Sequence, residues 1–164
     1  MAAPTQIFTT NIGNINSSPL NSAVTLAPHT FITADVTNGV QIVDAFVNVD
    51  ASLLLLFRNP SLSTGAVVTL LQGTNSEGTS NDGLVTTNTG LGNVTITLPP
   101  NSEVAYSIVD SSLFAQNISY TDSAGVTAVY PGMALTVTST DVSNAVTISA
   151  LVKYPTIYAG PAAY

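Results

Sequence analysis

Any chemistry in this chain has to be built around one histidine and no cysteine. That inventory excludes Cys-His nucleophilic catalysis and multi-histidine metal centres, and it leaves a Ser-His-Asp arrangement only through His29. No Gly-x-Ser-x-Gly elbow presents a serine at a strand-to-helix turn, so His29, directly after Pro28, reads as a turn residue. The seven Asp and two Glu are scattered along the chain. Acids paired for glycoside hydrolysis need a set spatial separation, and no spacing here nominates a pair. Asp bonds its own backbone at turns and strand ends, which is the reading for most of these residues. The chain is therefore expected not to be an enzyme and to need no cofactor.

One loop has ligand character. Asn75-Ser76-Glu77-Gly78-Thr79-Ser80-Asn81-Asp82-Gly83 crowds oxygen donors around glycines. Its spacing does not supply the alternating acidic ligands and terminal Glu of an EF-hand, so it reads as a flexible connection between strands. Gly90-Leu91-Gly92-Asn93 lacks the strand-loop-helix context of a phosphate site. Asn16-Ser17-Ser18, Asn93-Val94-Thr95 and Asn117-Ile118-Ser119 fit the glycosylation sequon, which is readily met in a chain this rich in Asn, Ser and Thr.

Charge narrows the partners. Of 164 residues only 7% are charged, against about 25% in ordinary soluble domains. Arg58 and Lys153 are the only basic residues other than the histidine, and the net charge is −7. Such a chain cannot neutralise a run of phosphates or dock on anionic lipid, so neither nucleic acid nor a membrane surface is expected as a partner. A lone subunit with so few charges is weakly solvated, which points to a surface covered by other protein. Met1 to Gln6 has neither a basic nor an apolar signal region, so synthesis in the cytoplasm or an upstream leader is expected. The apolar run from Ala51 to Phe57 is far shorter than the ~20 residues of a membrane helix.

The elements that would position such a surface are strands. Period-two apolar patterns recur between Gly, Pro, Asn and Ser clusters, and helix signals are nearly absent. The clearest strand is Asn93 to Leu98, ended by Pro99-Pro100-Asn101-Ser102, and Glu103 to Val109 follows as its expected antiparallel partner. Further strands are expected at 23–26, 30–36, 41–49, 52–57, 66–71, 118–121, 126–130, 134–139 and 145–152, with turns that include Pro131-Gly132. Leu53 to Phe57 lacks alternation, so both faces of that strand should be buried. The fold class is all-β: one β-sandwich over 23–152, with a jelly roll preferred to an immunoglobulin-like topology because the core Trp and the disulfide are missing.

Two terminal segments differ from this body, an N-terminal arm over 1–22 and a C-terminal arm over 153–164. Ile7, Phe8, Ile12 and Ile15 sit at irregular spacing in the first, and Tyr154, Ile157, Tyr158 and Tyr164 stand in the second. These are too apolar for solvated tails and are the expected subunit contacts, docking on neighbours while the β body folds without them.

Val94-Thr95-Ile96-Thr97-Leu98-Pro99-Pro100-Asn101-Ser102-Glu103-Val104 resembles the strand-Pro-turn-strand element of small β-sandwich decoration, or cement, proteins of tailed-phage and other viral heads. The resemblance implies a homo-oligomer, often a trimer, that binds a major capsid protein on the outside of the shell and reinforces it with terminal arms. It places the chain in the virion. The rival expectation is an extracellular filament or adhesin subunit that assembles by donating a terminal strand.

Overall fold

A computed structural model describes residues 3–12, 26–46, 52–73, 92–108 and 113–153. These residues form an all-β, sandwich-like fold of two sheets with two short helices. In order the elements are β1 (Thr5–Phe8), β2 (Thr10–Asn11), β3 (His29–Thr30), α1 (Thr33–Asn38), β4 (Val40–Val43), β5 (Ser52–Asn59) and β6 (Ala66–Leu70), followed by β7 (Val94–Leu98), β8 (Ser102–Ile108), β9 (Gln116–Thr121), β10 (Thr127–Thr136), α2 (Ser139–Ser143) and β11 (Thr147–Lys153). One sheet runs β1-β4-β10-β6-β7 with β9 added to β10; the other runs β2-β11-β5-β8 with β3 added to β11.

Alternation explains the core. Leu53, Leu55 and Phe57 of β5 lie opposite Val152, Ala150 and Ile148 of β11, and opposite Ile108, Tyr106 and Val104 of β8. From the other sheet Val40, Ile42, Val68, Leu70, Leu98, Met133 and Leu135 meet them, all buried. Full burial of each such side chain contributes roughly 1.5 to 3 kcal/mol, so this layer is the main source of stability. Leu54 and Leu56, on the opposite face of β5, are half-buried rather than enclosed, so only one face of that strand is fully in the core.

Several expected elements are redrawn. β7 and β8 do not pair with one another: β7 pairs with β6, and β8 with β5 in the other sheet. The Pro99-to-Ser102 turn is a corner between layers. Buried Asn59 holds it, donating from Nδ2 to the carbonyls of Thr64, Leu98 and Pro99, while Asn101 N donates to Ser61 O and Asn101 takes a φ of 47°. Alternation reports which face of a strand is buried and not which neighbour it meets, so the two strands looked like a hairpin.

The stretch 30–36, expected as a strand, is β3 followed by α1, and the stretch 134–139 ends at α2. Pro131-Gly132 is no turn but the middle of β10, where the strand changes partners. Residues 127–132 pair with β9, 133–135 with β4 and 135–136 with β6. A Cβ at Gly132 would collide with Ile42 O and Ile118 Cδ1, so the glycine is there for close approach.

Two carboxylates fix the helical end of the sandwich. Asp35 and Asp141 each occupy the third position of their helix and are 0% exposed. Asp35 Oδ2 accepts from Ile32 N at 2.8 Å, and the His29 ring nitrogen Nε2 lies 2.9 Å from the same oxygen. Asp141 Oδ2 accepts from Thr138 N and Thr138 Oγ1, and its Oδ1 accepts from Val67 N of β6 at 2.9 Å. Each helix carries the chain from one sheet to the other, so these caps also hold the two layers in register.

Candidate functional site

Of the expected contact residues, Ile7, Phe8 and Ile12 fall in the described part, and Ile15, Tyr154, Ile157, Tyr158 and Tyr164 lie outside it, as does the loop Asn75 to Gly83. Residues 5–11 are strands of both sheets. β1 pairs in parallel with β4, from Thr5↔Val40 to Phe8↔Val43, and after Thr9 the chain passes to the other sheet, where β2 pairs in parallel with β11. The switch between layers breaks the period-two pattern, which is why the apolar spacing looked irregular.

Ile7 is half-buried and packs on the core, whereas Phe8 is 51% exposed with its ring edge-on to Tyr120 at 4.9 Å. Gln6 Nε2 donates to Gln41 Oε1 and to Ser119 O. Ile12 N donates to Val152 O at 2.9 Å and closes the β2 pairing. The N-terminal segment therefore touches β4, β9 and β11 at once.

β2 and β3 share one edge of β11 and leave a notch. β3 covers Thr147 and Ile148, β2 covers Leu151 and Val152, and between them Ser149 and Ala150 line a pocket of about 410 Å³ with Thr9, Thr10, Pro28 and His29. A second groove, of about 630 Å³, follows the other face of this sheet over Leu56, Ala105, Thr147 and Ser149, with Leu26 and Pro28 at one side. At its rim Arg58 Nε stands 3.7 Å from Glu103 Oε1, both well exposed, an ion pair of little energetic weight.

Among the described residues the β9–β10 ribbon carries two well-exposed apolar side chains, and sequence reasoning missed it as a contact surface. From Thr127 to Tyr130, β10 pairs with β9 and with no other described strand. Two strands alone are marginal in water, and this pair is braced by Phe8, Tyr120 and Tyr130, whose rings form an edge-on series. At its tip Asp122 Oδ1 accepts from Ala124 N and Val126 N, and Gly125 takes a φ of +80°. Val126 is 62% and Val129 60% exposed. Val129 was legible as a strand residue, whereas Val126, expected in the same strand, stands just before β10; among the described residues no second layer covers either.

His29 does not stand free. Its ring meets Asp35 and sits 5.9 Å from that of Phe31, and among the described residues no hydroxyl is hydrogen-bonded to it. The Asp35 oxygen that it meets also caps α1, so the pair fastens β3 to the helix. Among the described residues no group of three or more His, Asp and Glu side chains is arranged to hold a metal, and no helix is long and apolar enough to cross a membrane. No known family, curated protein or solved structure matches the chain.

Proposed function

We propose that this chain is a structural subunit of a virus particle, a decoration or cement protein that binds the outside of an assembled shell and stabilises it through contacts between subunits, as a homo-oligomer and most simply a trimer. The observation that carries the reading is the ribbon: exposed Val126 and Val129 lie on a hairpin that has no second layer among the described residues. With 7% charged residues in the whole chain, such apolar side chains have few charged neighbours to keep them in solvent. Contact through surfaces, not turnover of a substrate, is the activity this supports.

A second reading, a filament or adhesin subunit, is favoured by a different observation. Both pairings of the N-terminal segment are parallel and lie at sheet edges, the geometry of a strand added from outside. Electron microscopy of the source material with a gold-labelled antibody separates the two. Label on the outside of closed shells supports a decoration protein, label along fibres supports the filament, and label confined to the unassembled fraction contradicts both.

A further inference from the structure

We infer that the N-terminal segment from Pro4 to Ile12 is an exchangeable strand, which fills the β4 and β11 edges of a second copy of this chain when copies are crowded together. The inference rests on the assembly reading and supplies its partner and its contact.

Four observations converge. First, the described strand pairings of the segment are all long-range: they reach from Thr5 to Val40 and from Asn11 to Val152, and none closes a hairpin. Second, its grip is light. β1 is four residues long and β2 two, the β1 side chains are half-buried or exposed, and β2 begins only past the notch at Ser149 and Ala150, a stretch of that β11 edge that no described strand covers. Third, the edge it covers cannot be left bare. Val40, Ile42 and Val43 are fully buried with β1 in place, and without it β4 would be an open apolar edge, a template for any matching strand. Fourth, the tether is long enough. Residues 13–25 separate Ile12 from Leu26, and a chain of that length spans up to roughly 45 Å when extended.

Exchange preserves every contact, because the same residues meet in the same register whether the strand comes from its own chain or from a neighbour. Only concentration decides. A tethered strand competes at an effective concentration on the order of millimolar, so its own body wins in dilute solution and a neighbour competes when copies are packed side by side.

The absence of cysteine makes the test direct. Gln6 and Gln41 are partners in the β1–β4 register, so Q6C and Q41C place two thiols across it. The Q6C/Q41C double variant, refolded dilute and oxidised, should close a link within one chain, which shows that it has folded with the strand in place. Q6C and Q41C single variants refolded together should then give a covalent heterodimer whose share rises with protein concentration, well above that of a Q6C and S143C control mixture. Three results overturn the inference: an unlinked double variant, a heterodimer no more abundant than the control, or a share independent of concentration. A chain that associates normally yet yields no Q6C–Q41C dimer removes strand exchange and leaves the assembly reading standing.

Discussion

Asp141 Oδ1 accepts the backbone N–H of Val67 at 2.9 Å, a bond that joins helix α2 to strand β6 across 74 positions of sequence. The same carboxylate caps its own helix through Thr138, so one buried side chain satisfies three donors. Removing it orphans all three. Hydrogen bonds to a charged group contribute about 1.5 to 3 kcal/mol each when intact, and the losses overlap, so Asp141→Ala should cost about 3 kcal/mol. In a chain of this size that lowers the melting temperature by roughly 6 to 12 °C, readable by thermal circular dichroism. A shift below about 2 °C would mean that the network is not a brace.

Gly132→Ala tests the partner switch in β10. The added methyl would press on Ile42 O and on the Ile118 side chain, and one of these is backbone that cannot swing away. Overpacking of this kind costs about 1 to 3 kcal/mol. Urea titration should show the loss, with Gly125→Ala, at the open tip of the ribbon where only the positive φ is strained, losing less.

Deleting residues 1–12 is expected to lower stability without unfolding the chain. Ile7 alone contributes somewhat under the roughly 1.5 to 3 kcal/mol of a fully buried side chain, because it is only half-buried. The sequence suggested a body indifferent to this segment. The strand pairings of β1 and β2 replace that with a measurable drop in melting temperature, together with a tendency to aggregate through the uncovered β4 edge. A truncated chain that melts like the full one would place the segment outside the fold.

Far-ultraviolet circular dichroism should be dominated by β structure, the two helices among the described residues being only six and five residues long. Helix above roughly 20% would contradict the fold, since globular averages are about 30 to 35%.

Strand identity was legible wherever one face is buried and the other is not, as in β6, where Ala66, Val68 and Leu70 are buried between an exposed Val67 and a half-buried Thr69. Partnership was not. Pro99 and Pro100 looked like a hairpin because a corner between layers uses the same residues as a turn within one. Helix α1 was hidden by its length: six residues hold too little periodicity to outweigh Val36 and the β-branched residues around it. The irregular N-terminal pattern did contain information, since a strand that changes sheets must change phase. The exposed ribbon was invisible as a surface because period two says that Val129 and Tyr130 face opposite ways and nothing about whether a second layer covers either.

The central claim is that this chain works through contacts between subunits, and sedimentation equilibrium tests it most directly. The full chain at micromolar concentration should show a weight-average mass above 16.8 kDa that rises with concentration. Val126→Asp with Val129→Asp should shift it toward the monomer while leaving the melting temperature within a few degrees, because both side chains are exposed. A clean 16.8 kDa species at every concentration, unchanged by the two substitutions, would contradict the account.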